Sequence, residues 1–123
     1  MVSFSQAALD AFLNEPDDTP FAMLNLIQLD PDGGSERYAE YHRLAKPSLA
    51  RHGAKILYAG NGLPVLTEGN IKGWDVVLVV QYPNRAAFKA MIGDAEYQVA
   101  FKVGASAIAD IVLQPLKAID GLF

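Results

Sequence analysis

The side chains best suited to proton chemistry in this sequence are two histidines, His42 and His52, and the sequence has no cysteine. Histidine is the side chain whose ordinary titration falls near neutral pH. His42 serves as a general base if it faces a pocket, and is a surface side chain otherwise. His52 stands beside Gly53 and suits a helix C-terminus. Ten positions apart, the two do not share a face of an ideal helix, so no histidine metal site is expected. Without cysteine, disulfides, thiolate catalysis and cysteine-based zinc or iron–sulfur sites are excluded. Asn25 is polar within an apolar stretch, and a buried amide must bond something: a ligand carbonyl, or a core tyrosine or water. Tyr38 and Tyr41 are three apart and share a helix face. Their hydroxyls either aim at a ligand or lie at the rim of a packed core. Tyr58, Tyr82 and Tyr97 pose the same choice. Trp74 can stack on a planar ligand or pack at a sheet edge or dimer contact. Glu68 and Asp75 flank a hairpin, as a carboxylate pair or as ordinary loop charges. Arg85, Lys89 and Lys102 read as a solvated helix face. No glycine-rich phosphate loop, nucleophile elbow or metal motif is present.

These residues need elements to hold them. Residues 5–15 place Ala8, Leu9, Phe12 and Leu13 at helical spacing, with Ser5 as N-cap and Pro16 as stop. Leu9, Phe12 and Leu13 are expected to pack over a sheet edge or a pocket mouth. Residues 21–29 read as a strand, ended by Asp30, Pro31, Asp32, Gly33 and Gly34. Ser35 is the expected cap of a helix whose inner face carries Tyr38, Tyr41, Ala45, Ser48 and Leu49. Pro47 is expected to kink or restart it, and Gly53 to end it. Residues 54–59 form a second strand, interrupted near Gly60, Gly62 and Pro64, with residues 65–68 as its continuation and 69–73 as a hairpin loop. Residues 74–82 carry the strongest strand signal. Asn84 caps a helix with Ala87, Phe88, Met91 and Ile92 inward. Asp94 caps another with Tyr97, Ala100 and Phe101 inward, and residues 111–116 supply the last strand. The order β-α-β-β-α-β is the ferredoxin-like arrangement, an α+β fold with an antiparallel sheet and both core helices on one face. Residues 1–19 form an added N-terminal helix and loop, 20–118 the domain, and 119–123 a tail.

Alternate strand residues point to opposite faces. Trp74, Val76, Leu78, Val80 and Tyr82 share one face, and Asp75, Val77, Val79 and Gln81 the other. In the first strand Phe21, Met23, Asn25, Ile27 and Leu29 oppose Ala22, Leu24, Leu26 and Gln28. Both faces are mostly apolar, where a solvated face would alternate with polar residues. Core helices cover only one. A bare apolar patch of several hundred Å² is rare on a monomer. At roughly 25 cal/mol per Å², covering it contributes on the order of 10 kcal/mol before the costs of association. A second copy is the expected cover, and the N-terminal helix is the competing one.

The chain has 123 residues, 51% hydrophobic and 20% charged, so it can bury the core of one domain. A net charge of −4 and the lack of a basic stripe argue against nucleic acid. The longest apolar run, 76–80, is far too short to span a membrane. The N-terminus lacks the basic opening of a signal peptide. A cytoplasmic protein is expected.

The ordered set Met23-Leu24-Asn25-Leu26, Tyr38, Tyr41, Pro47, His52-Gly53-Ala54-Lys55, Trp74-Asp75, Tyr82-Pro83-Asn84-Arg85-Ala86-Ala87-Phe88 and Glu96-Tyr97-Gln98 resembles the DUF1330 family of the dimeric α/β barrel superfamily, over residues 20–117. The resemblance implies the ferredoxin-like fold and a homodimer, and no agreed activity. The wider fold includes cofactor-free monooxygenases, haem-degrading enzymes and lactone isomerases, and Asn25 with Trp74 invites comparison with those oxygenases. Fold analogy assigns no reaction. Similar sequences often carry a His-Arg pair after the Tyr-Gln; those positions fall here at Val103 and Gly104. An arginine there would suit an anionic substrate. The expectation is therefore a homodimer binding a small neutral, apolar or aromatic metabolite, either as a cofactor-independent enzyme or as a non-catalytic binding or interaction module. Its candidate catalytic residues are Asn25, Tyr41 and His42. Its ligand-binding set is Met23, Asn25, Tyr38, Tyr41, Trp74, Phe88 and Met91, with no metal and no cofactor.

Overall fold

The chain enters its sheet at Phe21, after a short capped helix. In the computed structural model, which describes residues 3–121, that helix is α1 (Gln6–Leu13), and the Ser5 hydroxyl accepts from the Ala8 amide at its start. The outermost residues of the expected N-terminal segment (1–2) and C-terminal tail (122–123) lie outside the described residues. Then follow β1 (Phe21–Leu29), α2 (Gly34–Arg51), β2 (Lys55–Asn61), β3 (Val76–Tyr82), α3 (Arg85–Ile92), α4 (Ala95–Ala107) and β4 (Ile108–Leu116). The strands lie in the order β2-β3-β1-β4, every neighbour antiparallel. This is the ferredoxin-like α+β fold, with its second helical connection divided at Gly93 and Asp94.

Local chemistry explains most boundaries. Asn84 and Asp94 accept from the Ala87 and Glu96 amides and so cap α3 and α4. At α2 the cap is Gly33, with φ 78°, rather than Ser35. A left-handed residue there favours glycine. Its neighbour Gly34 must also be small, because a Cβ would come 2.7 Å from the Ala107 carbonyl. α2 runs unbroken through Pro47; that residue lies on the exposed side, where water can satisfy the carbonyl it leaves without a donor. β2 continues through Gly60, and its irregularity falls earlier, between Ile56 and Tyr58. The expected strand continuation at 65–68 is absent: residues 62–75 are irregular, and β3 starts at Val76 instead of Trp74. β4 starts three residues earlier than expected.

The helices share one face of the sheet. Phe21, Met23, Ile27, Leu78, Val80 and Tyr82 are buried beneath them, with Tyr38, Ala45, Phe88, Met91, Tyr97 and Ala100. α1 lies on this side too, since Phe12 packs edge-on against Phe21 and Phe88. It therefore does not cover the opposite face, where Leu24 stands beside Val79, and Leu26 beside Val77 and Val112. Tyr58 extends this strip from β2, with 64% of its surface exposed.

α1 is held by a side chain expected to be solvated. Arg85 is half-buried and donates to the Phe12 and Asp17 carbonyls at 3.0 and 2.9 Å, with its guanidinium 4.5 Å from the Phe12 ring centre. The C-terminal carbonyls of α1 lack helical donors, and Arg85 supplies two of the donors that this segment needs. Asp17 in turn accepts from the Thr19 amide and hydroxyl, which hold its carboxyl down to about 2.

Candidate functional site

Between the sheet and the helices lies a cavity of about 340 Å³. Its floor comes from the helix-facing positions of β1 and β3: Met23, Asn25, Ile27, Leu78, Val80 and Tyr82. α2 contributes Tyr38, Tyr41 and His42, spaced so that all three fall on its inner face. Phe88, Met91, Tyr97 and Gly104 line it from α3 and α4, and Phe4, Leu9 and Phe12 from the N-terminal segment. Among the described residues, no aspartate, glutamate, lysine or arginine lines this cavity. Its volume falls in the range of small-molecule pockets.

The polar groups are few. Asn25 Nδ2 donates to the Met23 carbonyl at 3.1 Å, which fixes the amide orientation, because an oxygen turned that way would meet another acceptor. Asn25 Oδ1 has no hydrogen-bond partner among the described residues. The Tyr41 and Tyr97 hydroxyls are 2.9 Å apart, one donating to the other. Burial raises the pKa of Tyr38, Tyr41, Tyr82 and Tyr97, so these phenols stay protonated. His42 packs edge-to-face on Tyr38, ring centres 4.6 Å apart. Burial lowers its pKa, favouring the neutral imidazole.

Six of the seven expected ligand-binding residues thus line one cavity: Met23, Asn25, Tyr38, Tyr41, Phe88 and Met91. His42 joins them. Trp74 does not. It lies in the irregular connection before β3, with the Lys72 ammonium 4.4 Å above its ring. Asp75 accepts from the Leu29 amide at 2.8 Å and pins the end of β1, while Glu68 sits in the exposed connection. His52 caps the end of α2, its Nε2 2.9 Å from Asp94. Arg51 and His52 both bond the Asp94 carboxyl and hold it well below the usual range. Leu9 and Phe12, expected over an edge or a pocket mouth, are part of the wall itself. Tyr82, Tyr97 and Phe4 also line the cavity, although the expected ligand-binding set omits them. The inward face assigned to Tyr97 and the period-two position of Tyr82 were the available signals. Gly104 belongs to the wall as well. A Cβ there would come 2.7 Å from the Tyr41 ring, so the Tyr41 ring fills the space that a side chain at this position would need. Among the described residues, no group of three or more histidines or carboxylates could hold a metal, and no helix is long and apolar enough to cross a membrane.

The family model described as a domain of unknown function, DUF1330, matches residues 32–114. The chain belongs to the DUF1330 family. A solved structure of RPA0582, a protein of unknown function from Rhodopseudomonas palustris, is 32% identical, with a TM-score of 0.88 and 97% of each chain covered. A methylated form of RPA0582 aligns over 100% of this chain and 98% of its own, at 31% identity and a TM-score of 0.90. The N-terminal helix therefore lies within the likeness, whereas the DUF1330 match begins after β1. A dimeric ferredoxin-like protein of unknown function from Jannaschia sp. CCS1 is 18% identical, with a TM-score of 0.58 over 80% of this chain and 99% of its own. That likeness carries the fold. No curated protein matches the chain.

Proposed function

We propose that this DUF1330 protein is a homodimer that holds a small, neutral, largely apolar or aromatic compound between its sheet and helices. The observation that carries this reading is the wall composition. The cavity has room for a small ring system, yet no charged side chain lines it among the described residues. A buried carboxylate would have no ionic partner there, and an unpaired buried charge is expensive. A cavity filled by side chains would have favoured an interaction module without a ligand. The open volume, with Asn25, Tyr38, Tyr41 and His42 on its wall, supports a ligand site and the catalytic candidacy of Asn25, Tyr41 and His42. The homodimer rests on the apolar strip Leu24, Leu26, Val77 and Val79.

A thermal-shift screen of matched aromatic acids and their neutral amides tests the ligand class. Neutral members should raise the melting temperature and the acids should not. Asn25→Leu should weaken binding of a neutral amide by roughly 1–3 kcal/mol, the cost of a lost buried hydrogen bond. Stabilisation by the acids alone, or unchanged binding by the variant, would overturn the assignment.

The division of the chain has its own test. We propose that residues 20–118 fold without the N-terminal segment. Deleting residues 1–18 should leave the circular dichroism spectrum of the α+β domain intact. It should also weaken ligand binding, because Phe4, Leu9 and Phe12 leave the cavity wall. A truncated chain that fails to fold would make α1 part of the core.

A further inference from the structure

We infer that the cavity is a proton-transfer site for a neutral ketone, in which the Tyr41–Tyr97 pair binds the carbonyl oxygen and His42 takes a proton from the adjacent carbon. This rests on the reading of the cavity as a neutral-ligand site and names the substrate class and the chemistry.

The pair of hydroxyls 2.9 Å apart shares one internal hydrogen bond. Whichever hydroxyl accepts that bond keeps its own O–H, and no acceptor among the described residues takes it. A buried donor of this kind needs a partner, and a carbonyl oxygen in the cavity supplies one. His42 packs against Tyr41, ring centres 5.1 Å apart, and lines the same cavity as both tyrosines. Neither imidazole nitrogen has a hydrogen-bond partner among the described residues. The protonation states suit this chemistry, since burial keeps the phenols as donors and the imidazole as a neutral base.

The step balances without a co-reactant. The C–H bond next to the carbonyl breaks, and its proton goes to an imidazole nitrogen of His42. The electron pair forms a C=C bond while the carbonyl π pair moves onto oxygen. That oxygen, now an enolate, receives a stronger hydrogen bond from the tyrosine pair, whose donors are already in place. Returning the proton to the same carbon gives exchange. Returning it to the far carbon of a conjugated system gives isomerisation. Nothing is oxidised or reduced.

The test is deuterium exchange at the carbon next to the carbonyl of 2-tetralone, followed by proton NMR in D₂O with the full chain. Binding is read in parallel from ketone line-broadening. The wild type should exchange this proton about 100-fold faster than an equal concentration of free imidazole. His42→Gln should abolish the gain, and Tyr41→Phe and Tyr97→Phe, which keep the rings, should each lose most of it while binding persists. If 2-tetralone binds but exchanges no faster than with imidazole, or if His42→Gln exchanges as fast as the wild type, the proton-transfer inference is overturned and the neutral-ligand reading stands. If 2-tetralone and the neutral amides all fail to bind, both fall.

Discussion

Val79→Asp is expected to turn a dimer stable at micromolar concentration into a monomer. Val79 lies on the sheet face that no helix among the described residues covers, opposite Leu24 on β1 and Tyr58 on β2. A two-fold interface on this strip would bury both copies of the new carboxylate. Each uncompensated buried charge costs about 3–5 kcal/mol, so the dissociation constant should rise at least about 1,000-fold. Sedimentation equilibrium across the micromolar range reads this directly. A wild type that is monomeric throughout would remove the second copy as cover, and α1 cannot take its place, because it packs on the other side of the sheet.

The second large effect is expected at Phe88. Its ring meets Phe4, Phe12, Phe21 and Tyr82 edge-on, at centroid separations from 5.0 to 6.4 Å. It is 3% exposed and joins α3, the sheet and the N-terminal segment into one cluster. Truncation removes both the buried area and the shared wall, and the neighbouring rings cannot collapse fully into the gap. Phe88→Ala should cost about 3–5 kcal/mol in denaturant unfolding, a large part of an ordinary domain's stability. A loss below about 1 kcal/mol would mean that the aromatic cluster does not hold α1 to the domain.

The two cases show which features were legible in the chain. Period-two patterning placed β1 at the bounds observed and separated Met23, Asn25 and Ile27 from Leu24 and Leu26. Helical spacing put Tyr38 and Tyr41 on an inward face, and the Asn84 and Asp94 caps are local hydrogen bonds that sequence order reveals. Those local signals brought Met23, Asn25, Tyr38, Tyr41, Phe88 and Met91 to one cavity. Features depending on distant partners were not legible. Arg85 looked solvated because the Phe12 and Asp17 carbonyls it bonds lie 73 and 68 positions away. Trp74 carries strand patterning by residue type, yet the strand forms only where residues 76–82 find partners in β1 and β2. Ser35 was a good cap by type, but the close approach of Gly34 to Ala107 placed the helix start earlier.

A neutral molecule in the cavity between sheet and helices is the claim on which the functional reading turns. The chain has three methionines, and two of them, Met23 and Met91, line that cavity. Methyl NMR of methionine-labelled protein, titrated with naphthalene-2-carboxamide and separately with naphthalene-2-carboxylate, reads the cavity directly. Saturable shifts of the Met23 and Met91 methyls are expected with the amide and none with the acid. Shifts with the carboxylate alone, or two methyls that stay still while the amide binds elsewhere, would contradict the claim.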